Sequence, residues 1–197
     1  MHNQDTPLPP VTRPISLFEG FVWAVPQTII LKENILSFSG DSFEIKLDND
    51  EPILRVKGSW APFHGRKKVE DMNGQHLFDI TKEHLHLHTT YVLEDPEGNK
   101  IVEVRSDFRL IGSKSNITFN DRDGKPVTLG MNGKIFEHNA DIFDQETGQV
   151  AAHIRHKRFN GRKMMFGQDT YTVTVAPGVD TALIAALCIC FDEKNHD

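Results

Sequence analysis

Two cysteines in 197 residues, Cys188 and Cys190, leave this chain without a disulfide framework. They stand two apart in one apolar segment, where helical neighbours at i and i+2 face different sides, so they are not expected to pair. Two buried, reduced thiols suit a cytosolic protein. Positive charge is in short supply: 22 Lys and Arg against 28 Asp and Glu give a net charge of −6. Nucleic acid is therefore not the default partner, because that binding is led by phosphate neutralisation. Long apolar runs are missing too. The longest, ALIAALCICF near the C-terminus, has about half of the ~20 residues that a membrane-spanning helix needs. Residues 1–14, MHNQDTPLPPVTRP, carry four prolines and no apolar signal core. They read as a flexible N-terminal arm ahead of one domain over residues 15–197, in a cytoplasmic protein.

Catalytic signatures are equally scarce. The sequence has no G-x-S-x-G elbow, H-E-x-x-H helix, P-loop or dinucleotide fingerprint. Cys188 and Cys190 sit in the segment expected to be most buried and make poor nucleophiles. The reading is a non-enzymatic protein with no cofactor.

What the chain does have is a long series of strand and turn signals. FEIKLD and ILRVKG flank Asp48-Asn49-Asp50-Glu51-Pro52, and RKKVED and QHLFDI flank Met72-Asn73-Gly74. HLHTTYVLE and KIVEVR flank Asp95-Pro96-Glu97-Gly98-Asn99, NITFN and KPVTLG flank Asp121-Arg122-Asp123-Gly124, and ADIFD and QVAAHIRH flank Gln145-Glu146-Thr147-Gly148. Period-2 strands joined by acidic or glycine turns are the mark of successive hairpins. The alternation assigns faces: Phe43, Ile45 and Leu47 oppose Glu44 and Lys46, and Tyr171, Val173 and Val175 oppose Thr170, Thr172 and Thr174. One face is buried and the other wet, as in antiparallel sheets over a single core. So many strands need closure or a sandwich to remove their edges.

The C-terminal segment departs from this pattern. After the turn Pro177-Gly178, Asp180 is a good N-cap, and Thr181 to Phe191 is apolar all round. Such a helix is buried on every side. A sandwich would cover one side of it; a barrel covers all of it. The expected fold is a mainly β, closed antiparallel barrel of about twelve strands around a central apolar C-terminal helix.

That arrangement resembles the Tubby C-terminal-like proteins, a group that includes the tubby proteins, the phospholipid scramblases and the LURP-one-related proteins. The similarity is greatest to the LURP-one-related branch. It is carried by FEIKLDNDEPILRVKG, by KKVEDMNGQHLFDI and by the ending YTVTVAPGVDTALIAALCICFDE. The resemblance implies the barrel fold and a loose link to membranes or lipid headgroups. Scramblases place acidic residues before the C-terminal helix, but Asp169 to Asp180 lacks the carboxylates that a calcium cage of about six to eight oxygens needs. Calcium-driven scrambling is not expected.

Several residues are candidates for chemistry. The stretch from His153 to Lys163 contains Arg155, Lys157, Arg158, Arg162 and Lys163 and no acid. Arg66, Lys67 and Lys68 form a smaller basic cluster. Together they are candidates for a phosphoinositide or an anionic membrane surface; a charge run of this kind is otherwise a solvated hairpin. His84, His86 and His88 alternate with Leu85 and Leu87 on one expected strand. Three imidazoles on one face are weak candidates for a metal, with no cysteine or paired acid to complete the shell. Trp60 fits either a bilayer-interface anchor or a strand-end core residue. The reading is a cytosolic module, peripheral at membranes, that binds phosphoinositides or anionic lipid. The alternatives are an interaction or scaffold protein of unknown partner, or a scramblase-like lipid mover.

Overall fold

The computed structural model describes residues 7–32, 43–58, 66–85, 88–106, 115–134, 139–157 and 170–194. In chain order its strands are β1 (Gln27–Lys32), β2 (Phe43–Leu47), β3 (Pro52–Gly58), β4 (Lys67–Asp71), β5 (His76–Leu85) and β6 (His88–Glu94). There follow β7 (Lys100–Ser106), β8 (Ser115–Asn120), β9 (Pro126–Lys134), β10 (Asn139–Asp144), β11 (Val150–Lys157), β12 (Thr170–Val175) and the helix α1 (Thr181–Lys194). Each strand pairs antiparallel with the next, and β1 pairs with β12, so the twelve strands close into a barrel. The strand count and the helix agree with the sequence expectation, and α1 runs to Lys194.

Because successive strands alternate in direction, the connections sort onto two ends. The turns β2–β3, β4–β5, β6–β7, β8–β9, β10–β11 and β12–α1 share one end. Five of them place a glycine in the left-handed region, whereas the β2–β3 turn holds Asp50 there at φ 69°. An aspartate tolerates that conformation better than most side chains, but not freely.

The barrel interior is filled by α1. Every residue from Ala182 to Phe191 is buried, and Leu183, Ile184, Ala185, Leu187 and Cys190 are wholly so. Inward strand residues such as Ile29, Leu54, Phe78, Leu93, Ile117, Leu129, Ile142 and Val173 close around them in one core. The alanines and cysteines on α1 keep the helix slim enough to be surrounded. No described helix is long and apolar enough to cross a membrane.

Asp180 caps this helix and does more. Its Oδ1 accepts the Leu183 amide at 3.0 Å, while Oδ2 accepts the amides of Leu17 at 3.0 Å and Phe18 at 2.6 Å. The N-terminal segment is thereby stitched across the turn end: Ile15 donates to Gly178 O, Thr181 to Phe21 O and Val11 to Pro177 O. Leu8, Ile15, Phe18 and Phe21 join the core, and Phe18 stacks on Phe78 with centroids 4.6 Å apart. Arg13 pairs with Asp144 at 3.0 Å and with Glu146. The expectation of a free arm over residues 1–14 therefore fails for residues 8–14. Prolines restrict that segment, and the apolar Leu8 and Val11 between them have an apolar surface to meet. Residues 1–6 lie outside the described residues.

Burial pushes the Asp180 carboxyl above the usual carboxylate range, against the pull of the backbone amides. Asp180→Ala should lower stability by about 2–4 kcal/mol in urea unfolding, since it orphans buried amides of both strap and helix. Asp180→Asn, which keeps an acceptor oxygen, should cost less. Ala186→Asp or Leu187→Asp puts an unpaired charge at the barrel axis and should abolish cooperative folding. Soluble, cooperatively melting protein from either variant would contradict the internal position of the helix.

Candidate anionic-ligand surface

The outer wall of the barrel is divided by charge. On β3 to β7, acids and bases interleave. Lys57 on β3 and Lys68 on β4 both reach Glu70, at 2.6 and 3.1 Å. Glu70 is only 4% exposed, so the two ammonium groups and their stems roof it. The Lys57 hydrogen bond, then the Lys68 one, hold its carboxyl below the ordinary range despite burial. Arg66, just before β4, contacts Glu94 on β6 and lies 3.6 Å from Asp79 on β5. Lys67 is not free either. Further round, Lys100 meets Glu83 at 3.3 Å and Glu103 at 3.0 Å, and Arg105 also contacts Glu103. Charge on this wall is spent within the wall.

The opposite wall is different. The adjacent strands β11, β12 and β1, with sequences VAAHIRHK, TYTVTV and QTIILK, contain no acid. Their registers align His153 with Thr174 and Thr174 with Thr28, and one rung along Arg155 with Thr172 and Thr172 with Ile30. Thr28 and Thr174 place their hydroxyls 3.3 Å apart. Thr172 donates to the Arg155 carbonyl at 3.4 Å. The result is a strip of hydroxyls beside Arg155 and His153.

At the border with β10, Asp141 faces His153 across the ladder. Asp141 Oδ1 lies 2.6 Å from His153 Nδ1 and accepts from Arg155 Nη1 at 2.9 Å. Arg155 Nη1 also donates to the carbonyls of Ala140 and Ile154, and Nη2 lies 3.1 Å from His153 Nδ1. Burial raises the Asp141 pKa, but the hydrogen bonds and charges of His153 and Arg155 outweigh it and leave the group below its ordinary value.

The two basic clusters of the sequence do not meet along the wall. Strands β3, β2, β1 and β12 lie between β4 and β11. Lys67, at the start of β4, and Lys157, at the end of β11, both sit towards the end opposite the hairpin turns. Arg158, Arg162 and Lys163 lie outside the described residues, as do His86 and Trp60. The three-histidine strand is corrected: His84 is on β5 and His88 on β6, with Leu85 opposite His88. The chain reverses between them, so the histidines do not form one row on a single strand. Among the described residues no group of three or more side chains is placed to hold a metal ion. Asp141 and His153 are the pair that sequence reasoning missed. They lie twelve residues apart, and their pairing follows from a hairpin register shifted by a bulge at Ile142/Phe143, which alternation alone does not reveal.

Glu70 supplies a test of the neutralised wall. Its folded pKa is lowered from 4.5, so its contribution is present above that value and lost as pH falls through the lower, folded one. Glu70→Gln should cost about 1 kcal/mol at neutral pH, with the deficit shrinking as pH falls below the ordinary carboxylate range in urea titrations. A deficit that does not change with pH would argue against the two lysine pairs.

Comparison with known proteins fits this geometry. The family model described as LURP-one-related matches residues 27–192, from the first strand into the helix. The protein LURP-one-related 15 of Arabidopsis thaliana is 20% identical over 178 residues, covering 87% of this chain and 82% of that one. LURP-one-related 5 of Arabidopsis thaliana is 23% identical over 186 residues, covering 91% and 88%. An X-ray structure of an Arabidopsis thaliana protein aligns with 92% of this chain and 99% of that chain, at 19% identity and a TM-score of 0.41. The match spans the whole barrel and the segment that fills it, and the chain belongs to the LURP-one-related family.

Proposed function

We propose that this protein is a non-enzymatic cytoplasmic module that docks on an anionic, phosphoinositide-bearing membrane surface through β11, β12 and β1. The observation that carries this reading is the run of three adjacent strands without a carboxylate in a chain of net charge −6. This wall offers an approaching anionic leaflet hydroxyls, Arg155 and His153 with no carboxylate of its own. The basic residues Lys157, Arg158, Arg162 and Lys163 continue the sequence from this wall. Arg66 is a poorer choice of contact, because two carboxylates, Glu94 and Asp79, lie against it.

A second reading, a scaffold that binds another protein, draws support from the turn end. Val22 and Val25 are the exposed large apolar residues of the described chain, at 38% and 59%. They flank Trp23 in one short loop.

Liposome flotation separates the two. The protein should float with vesicles containing anionic lipid, not with neutral ones, and less so as salt rises. Neutralising Arg155, Lys157, Arg158, Arg162 and Lys163 together should abolish flotation, while Arg66→Gln with Lys68→Gln should leave it nearly unchanged. Flotation that survives the fivefold neutralisation would sink the membrane reading. No flotation of the native protein, combined with loss of a stoichiometric partner on Val22→Ser with Val25→Ser, would favour the scaffold.

A further inference from the structure

We propose that Arg155 and His153 form a headgroup site selective for phosphomonoesters, with Asp141 as the internal carboxylate that a phosphomonoester must displace. This rests on the membrane reading above and adds to it the class of headgroup that is recognised and the residue that sets the choice.

The geometry around Asp141 is that of an unfinished clamp. A guanidinium binds a carboxylate best through two parallel N–H donors to two oxygens. Here both side chains converge on the single oxygen Oδ1, and the second donor of Arg155 is turned to His153 Nδ1 instead. Asp141 Oδ2 takes no partner among the described residues. The carboxylate and the guanidinium compete for the same ring nitrogen. When Nδ1 carries the proton it donates to Asp141; when it does not, it can accept from Arg155. The fork of Arg155 is therefore fully occupied, Nη1 by Asp141 and the carbonyls of Ala140 and Ile154 and Nη2 by His153, with only one of its donors on the carboxylate.

Whatever binds here must offer more than Asp141 does. The aspartate is held on the neighbouring strand, directly opposite His153, so it competes at high effective concentration. A singly charged phosphodiester brings the same charge as the carboxylate and has no electrostatic advantage over it. A phosphomonoester brings about −1.5 to −2 charges and three acceptor oxygens. It can replace Asp141 at Nη1, draw Nη2 away from His153 and accept the His153 ring N–H as well. The neighbouring Thr172 and Thr174 hydroxyls lie on the same outer face, opposite Arg155 and His153 in register. All three members of the cluster are solvent-accessible, with Arg155 41% exposed and Asp141 39%. No other charged residue faces them from β12, which carries threonines outward. The extended acid-free wall beside the cluster favours a planar lipid surface over a single phosphopeptide as the carrier of the phosphate.

Vesicles matched for total surface charge provide the test. One set contains phosphatidylserine and the other a phosphatidylinositol monophosphate, both in phosphatidylcholine. The native protein should prefer the second, by about tenfold in affinity at matched charge. Asp141→Asn removes the competing charge and should raise binding to phosphatidylserine vesicles, reducing the preference. Arg155→Lys keeps the charge but loses the fork, and should erase the preference from the other direction; it covers the case in which Asp141→Asn fails to fold. Equal native binding to the two vesicle sets would overturn the selectivity and leave the membrane reading standing. An unchanged preference in folded Asp141→Asn and Arg155→Lys would overturn the role of this cluster. Binding of a phosphoserine peptide as tight as that of the monophosphate vesicles would overturn the lipid assignment. No binding to either vesicle set would instead remove the membrane reading itself.

Discussion

The structure depends on one buried carboxylate. Asp180 accepts hydrogen bonds from amides at both ends of the chain, Leu17 and Phe18 on one side and Leu183 on the other. It is wholly buried, and no side-chain cation shares its charge among the contacts described. Backbone amides and the positive end of α1 provide the compensation. Moving any of these donors away would leave a charge in apolar surroundings, which is costly. The strap, the last turn and the helix therefore hold their positions as one unit. The barrel wall in turn needs the helix, because its inward residues have nothing else to pack against.

With the interior fixed in this way, the outer wall is where variation has meaning. On β3 to β7 Arg55, Lys57, Arg66, Lys68, Lys100 and Arg105 each lie close to a carboxylate of their own or a nearby strand. Exposed pairs of this kind add little to stability one by one. Their larger effect is to leave that wall without net attraction for anions. On β11, β12 and β1 the carboxylates are missing, and the threonines that replace them neither attract nor repel charge at a distance. A surface of this composition lets the few cations present act on whatever approaches. Asp141 marks its border.

Much of the fold was legible in the sequence because local and global signals agree. The turns Asn73-Gly74, Gly98-Asn99 and Asp123-Gly124 lie between alternating strands, and the structure places each glycine at positive φ. The apolar run after Asp180 reads as a buried helix, and it is one. Harder features were those that need a partner distant in sequence. Residues 8–14 look unstructured alone, yet Val11, Thr12 and Arg13 find partners on Pro177, Gln149 and Asp144. The histidines around Leu85 alternate as one strand would, but Leu85 ends one strand and pairs with His88 at the start of the next. The basic residues were visible; the carboxylates that hold Arg66 and Arg155 were not, since strand register decides those contacts.

The pairing of the first strand with the last has a consequence for how the chain is made. Thr28 meets Thr174, and Leu17 and Phe18 meet Asp180. During synthesis the N-terminal strap and β1 emerge first and wait for partners that come last. The intervening hairpins can form locally, but each has an apolar face that only α1 covers. Contacts so distant in sequence make for slow folding and a long-lived sticky intermediate. A nascent chain of this protein stays incomplete until its final helix leaves the ribosome, and it will need shielding by chaperones until then.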